Sequence, residues 1–269
     1  MSSTRVASSP DQRRRQLEAR WRRRRFAVPY PVDGPKVSLG VAWLAALLLA
    51  AYYVGAAAAL VLIPVAVLAA VQVGRAWSRQ ELSDGRAAGL VAFCVASAAW
   101  FGALALGAAT VAAVFGLFVY AWLSASPTTD ARVRLAEILV RAALPVGIAA
   151  GSLLILAVDR TPAFVSVVLL VSAYETGDFL VGSGSANAVE GPAAGLVALA
   201  LVAVGLFVVL PDPFTSVTLP LWAAVVAVCC PLGQVAGSAI LPRGDAWAPA
   251  LRRFDSHLIA APLWVLFVG

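Results

Sequence analysis

The chain has 269 residues, of which 61% are hydrophobic and 13% charged, with 20 Lys and Arg against 14 Asp and Glu. The charged share is about half that of an ordinary soluble domain, and such a chain has too few polar side chains to cover a water-facing surface. A soluble protein is thereby excluded, and an all-α polytopic membrane bundle of about eight to nine transmembrane helices is expected.

In chain order, residues 1–36 form a basic tail with arginine runs at 13–15 and 22–25. This is too long and too charged for the n-region of a signal peptide, and it reads as a disordered cytosolic arm. Clustered arginine beside a membrane attracts anionic lipid headgroups, at about 1 kcal/mol per residue near the surface. No nucleic acid is expected, because no folded reading module accompanies the tail. Its plainest role is a topology signal.

Apolar segments follow at Ser38–Val54, Ala56–Val73, Ala87–Leu106 and Gly107–Leu123. Others run Ile138–Val158, Pro162–Leu180, Pro192–Leu210 and Phe214–Cys230, and a short last one starts near His257. Tight turns are expected at Gly55 and Gly107. Residues 37–170 read as N-terminal transmembrane helices, and 171–269 as a C-terminal membrane region carrying the chemistry-bearing loops. Cys94, Cys229 and Cys230 have no metal-type spacing and read as small packing residues. With the tail in the cytosol, only Arg160 of the 20 Lys and Arg residues falls on the opposite side. This is a strong positive-inside pattern, expected of an integral protein of a bacterial cell membrane.

Two polar segments share the basic side. The first, Ser172 to Gly195, holds Glu175, Asp178 and Glu190 among glycines. The second, Pro231 to Phe267, contains "GQVAGS", "PRGD" and "LRRFDS". Carboxylates at a membrane helix end are costly and tend to mark a site. Glu175 and Asp178 are three apart and share a helix face, and with Asp255 they form an oxygen ligand set suited to a hard divalent cation. Arginines beside them suit phosphate. Each position also has a plainer reading: Asp255–Ser256 as an N-cap, Ser238 beside Gly237 as close helix packing, Arg252 and Arg253 as topology charges, and Glu190–Gly191 as a loop start. A Ser-His-Asp triad would need His257, which at i+2 from Asp255 points away from it on a helix. A transporter would carry its charges at mid-bilayer rather than at one face.

These segments resemble the phosphatidate cytidylyltransferase (CDP-diacylglycerol synthase) family, polytopic enzymes that join CTP to phosphatidic acid and release pyrophosphate with divalent metal help. The likeness rests on "GQVAGS" at 233–238, "LRRFDS" at 251–256 entering the last helix, "ETGDFLVG" at 175–182 and "NAVEGPAAG" at 187–195. Glu175, Gly182, Glu190, Gly191, Ser238, Arg253, Asp255 and Ser256 match the family pattern. The resemblance implies Asp255, Glu175 and Asp178 around Mg²⁺, with Arg253 and Arg243 on phosphates and Ser238 as a polar contact. It implies Asp255, Arg253 and Ser238 as catalytic residues, and Arg243, Glu190, Gly191 and Ser256 as substrate-binding. It also implies CTP and phosphatidic acid as substrates and a homodimer as the assembly. The departures are equally specific. Gln234 and Arg252 stand where the family has acids, Ala186 and Asn187 where it has lysines, and "DAWAPA" where it has a glycine-rich loop. Either Asp245, Asp178 and Asp255 take over the metal, or the chain keeps the fold and binds lipid or partner proteins without catalysis.

Overall fold

The computed structural model describes residues 36–53, 55–78, 85–124, 128–183, 185, 189–244 and 246–268. The arginine runs of the tail, Arg79, Ala186, Asn187 and Asp245 lie outside the described residues. Every regular element among the described residues is a helix, and none is a strand. The α-helices are α1 (Lys36–Tyr53), α2 (Ala58–Ser78), α3 (Arg86–Ala98), α4 (Ala103–Leu123) and α5 (Thr129–Asp159), then α6 (Thr161–Gly182), α7 (Glu190–Val209), α8 (Thr218–Ile240) and α9 (His257–Val268).

Six of them, α2 and α4 to α8, are long and apolar enough to cross a membrane. The segments Gly40–Tyr53, Arg86–Phe101 and His257–Val268 are apolar but shorter, so length and apolarity alone account for six of the eight to nine expected spans.

Helix α5 is the axis of the bundle. Of its most apolar window 78% is buried, against 11% for α4 and α7, which therefore form a rim. Rim residues such as Leu104, Phe115, Leu201 and Val208 are exposed, as suits a hydrocarbon solvent. Small residues set the inner spacing. Ala88, Ala92, Val95, Ala96 and Ala99 recur on one face of α3 and its last turn, all buried. Opposite them lie Gly147 and Gly151 of α5, where an added methyl would come within 3.2 Å of Val95 and 2.8 Å of Leu106. Helices α6 and α7 approach in the same way, since a methyl on Gly177 would stand 2.6 Å from the Ala194 carbonyl oxygen.

Three boundaries differ from the sequence reading. The chain breaks at Gly102 instead of Gly107, because Gly102 adopts φ 93° and ψ 179°, a conformation open to glycine alone. Helix α5 begins at Thr129, well before Ile138. Its start is capped by the Thr128 hydroxyl, which accepts from the Ala131 N–H at 3.3 Å. Its charged first turns are steadied by the Glu137–Arg141 ion pair and by Arg132 over the Trp122 ring. Helix α8 runs past Cys230 to Ile240 although Pro231 has no N–H to offer the helix. Gly233, Gln234, Gly237 and Ser238 keep it helical because that face is buried against the connection to α9.

The charges divide between the two ends of the bundle. The connections holding Arg160 and Asp212 line one cavity of about 290 Å³. Glu175 lies roughly 22 Å further along α6 at 1.5 Å per residue. The end of α2 and the connection after α8 meet at the far end, where Trp77 Nε1 donates to the Ile240 carbonyl at 2.8 Å. The Ala250 N–H donates to Gln72 Oε1 at 2.9 Å. The start of α1 joins them: a methyl on Gly40 would lie 3.2 Å from Arg253 Nη1. Trp43 packs edge-on against Phe254 beside it.

Candidate functional site

The polar residues singled out from sequence collect where the last turns of α6 and α8 meet the start of α9. Helix α8 comes so close to this connection that a methyl on Gly237 would sit 2.0 Å from Asp255 Oδ1, and one on Gly233 2.2 Å from the Asp255 carbonyl oxygen. Only glycine leaves room here, and that closeness buries Asp255 and Ser256.

At the centre is a guanidinium. Arg252 Nη1 donates to Asp255 Oδ2 at 2.6 Å and to Ser238 Oγ at 3.1 Å, while Nη2 donates to the Gly244 carbonyl at 2.6 Å. A carboxylate, a hydroxyl and a backbone carbonyl thus converge on one cation supplied by the chain. Burial pushes the Asp255 carboxyl up to about 6, against the opposing pull of the Arg252 charge and hydrogen bond.

A second network lies alongside. Gln234 Nε2 donates to Asp178 Oδ2 at 2.8 Å, and Gln234 Oε1 accepts from the Tyr174 hydroxyl at 3.3 Å. Asp178 and Gln234 are both buried. Glu175, one helical turn from Asp178, stands next to Ser256 and within electrostatic reach of Arg253, Asp255 and Asp178. Yet Glu175 Oε1, Asp255 Oδ1 and Ser256 Oγ are buried without a hydrogen-bond partner of good geometry, as are both ring nitrogens of His257.

Of the residues expected from sequence, Asp255, Ser238, Ser256, Glu175, Asp178 and Arg253 therefore gather at one place. Arg253 is half-buried against α1, and Arg243 is exposed in the turn after α8. Glu190 turns elsewhere: it is exposed at the start of α7 and accepts from Ser185 Oγ at 2.5 Å. Gly191 beside it is buried. Sequence reasoning did not single out Tyr174, Gln72 or Trp77. Gln72 carried a signal, being an amide inside an apolar segment; Tyr174 carried none apart from its acidic neighbour.

The fit to Mg²⁺ can be judged from these contacts. Among the described residues, no three His, Cys, Asp or Glu side chains stand together as a metal would need. Glu175, Asp178 and Asp255, expected around the ion, are neighbours without being one ligand set. Asp178 is turned to the Gln234 amide, and Asp255 to a guanidinium whose charge opposes a second cation at that oxygen. Among the described residues, Glu175, Asp178 and Asp255 as arranged do not fit a resident divalent metal.

Compared with known proteins, the chain matches no protein-family model, and neither curated proteins nor solved structures show a match.

Proposed function

We propose that this chain is an integral membrane protein with a cytidylyltransferase-like frame, which binds an anionic lipid headgroup at its arginine-rich end without transferring a nucleotide. One observation carries this reading: the Arg252 guanidinium is bonded to Asp255, Ser238 and the Gly244 carbonyl, so the acid expected to hold a metal and the hydroxyl expected as a polar contact already serve an internal cation. Gln234 does the same for Asp178. Exposed Arg243 and half-buried Arg253 flank this neutralised centre, and a lipid phosphate beside them meets guanidinium groups suited to bidentate binding.

On this proposal the basic end faces the cytosol of a bacterial cell, as the positive-inside pattern requires. The three shorter apolar helices also cross. Helix α1 starts at the end where α2 finishes, so the chain must traverse the bundle within α1. The tail before α1 adds anionic lipid contacts at the same face.

Two measurements test the reading. Purified protein given labelled CTP, phosphatidic acid and Mg²⁺ should form no lipid-linked CMP beside an active cytidylyltransferase. Native mass spectrometry should find phosphatidic acid retained over phosphatidylcholine, with retention falling several-fold in Arg243→Gln/Arg253→Gln. Lipid-linked CMP that disappears in Asp255→Asn would replace this reading with the transferase. That second reading is favoured by the buried Asp255 Oδ1, which has no hydrogen-bond partner, close to the buried Glu175 carboxyl.

A further inference from the structure

We infer that Arg252 is a tethered counter-ion filling an oxygen cage of the kind that holds a small hard cation, and that removing its guanidinium opens the cage to such a cation. The inference concerns the cage alone and stands whatever the protein does with lipid.

The donor set is the first argument. Asp255 Oδ2, Ser238 Oγ and the Gly244 carbonyl are a carboxylate, a hydroxyl and a backbone carbonyl, all oxygen, at 2.6, 3.1 and 2.6 Å from the two terminal nitrogens of one side chain. Oxygen sets of this composition, drawn from separate chain segments, are what Mg²⁺ and Ca²⁺ take. The three come from α8, the turn after it and the connection into α9, so the cation at their centre ties those segments together.

The second argument is the surplus of acceptors. Asp255 Oδ1 is buried with no hydrogen-bond partner, and the Glu175 carboxyl lies nearby in contact with Ser256. Guanidinium is planar, and its N–H groups lie in one plane. A spherical ion has no such restriction. Asp255 Oδ1 is therefore an acceptor at the cage that its present occupant leaves unbonded.

The third argument is burial. The Asp255 side chain is 5% exposed and Arg252 22%, so the charge pair is mostly desolvated. Removing one partner of such a pair leaves an uncompensated buried charge, and an added cation has reason to replace it.

The test uses the full-length protein in detergent, with unfolding midpoints measured at matched ionic strength. Wild type should be indifferent to millimolar MgCl₂, CaCl₂ or methylguanidinium chloride. Arg252→Ala should unfold at lower temperature and regain roughly 5 °C on adding a divalent cation or methylguanidinium. Asp255→Asn in the same background should abolish the gain. A wild-type chain stabilised by divalent cation to the same degree would overturn the inference, as would an Arg252→Ala chain that folds and ignores both additives. If Arg252→Ala cannot be purified, Arg252→Lys and Arg252→Gln decide. The charged ammonium should preserve the unfolding midpoint better than the neutral amide. Equal midpoints, or a better one for glutamine, would mean that hydrogen bonding and not charge fills the cage.

Discussion

Asp255 concentrates the physics of the site in one side chain. Its carboxyl is raised to about 6 by burial while Arg252 pulls the other way. A carboxyl whose folded-state value lies above its unfolded value of about 3.9 binds its proton more tightly when folded. Its contribution to stability is thus present at low pH and is lost as pH rises through about 4 to 6. We expect the unfolding midpoint in detergent to carry a falling component across that window, worth up to about 3 kcal/mol, which Asp255→Asn removes. A midpoint whose slope is unchanged in Asp255→Asn would show that the carboxyl is not perturbed by burial. Gln234 makes the neighbouring case. Replacing it with leucine leaves Tyr174 and Asp178 without this shared partner in a buried place, and the cost expected is about 2–3 kcal/mol by thermal or chemical unfolding. A variant as stable as wild type would mean that water serves those groups as well as the amide does. Gly237 sets the limit on space, since its added methyl would overlap Asp255 Oδ1. Gly237→Ala should lower stability by about 1–3 kcal/mol as the connection is pushed away.

At the scale of the helix, boundaries are decided by caps, glycines and packing more than by hydropathy. The threonine cap and the Glu137–Arg141 pair let α5 project past the apolar slab, and an apolarity reading stops where the slab does. Thr128→Ala should cost about 1 kcal/mol, with loss of helicity confined to residues 129–137. Hydrogen exchange on that segment would check it, and unchanged protection would assign the helix start to packing alone. Gly102 is the counterpart between α3 and α4. With φ at 93° and ψ at 179°, Gly102→Ala is expected to cost about 1–3 kcal/mol even though open space surrounds the position. Helix α8 makes the same point differently. Pro231 reads as a stop in sequence, yet the helix continues, because the small-residue face at 233 and 237 is buried only if it stays helical.

Across the whole molecule, Arg75, Arg86, Arg243, Arg252 and Arg253 lie where the ends of α2 and α8 meet, and Arg160 lies at the opposite end of α6. The span alternation read from sequence puts these two ends on opposite sides of a membrane. It predicts that Arg243→Cys and Arg160→Cys, each in a background lacking the native cysteines, react with a membrane-impermeant maleimide from opposite sides of sealed vesicles. Reaction of both from one side would overturn the alternation. The long connection from α8 to α9 is held down from several directions, by Trp77, Gln72, Trp43 and Arg252. The site's geometry therefore depends on N-terminal and C-terminal helices together, and the two regions divided in sequence at residue 170 share this end.

The amino-acid sequence by itself determined the apolar solvent and the helical class, and it set the expectation for how charge divides between the two ends. These follow from sums over local residues: long uncharged apolar runs suit lipid, their length suits a helix rather than a barrel strand, and arginine keeps to one face. It also placed Asp255, Ser238, Glu175 and Asp178 as polar residues near helix ends at that face. The tertiary structure alone decided what they bond. An arginine that marks topology and an arginine that fills a buried cage are the same letter in the same place. Which one Arg252 is depends on Ser238 and Gly244 arriving from another segment within 3.1 Å. Gln234 likewise reads as a lost acid until α6 brings Asp178, 56 residues away, to its amide. Hydrogen bonds are short and directional, so pairings between residues distant in sequence become visible only once helices pack.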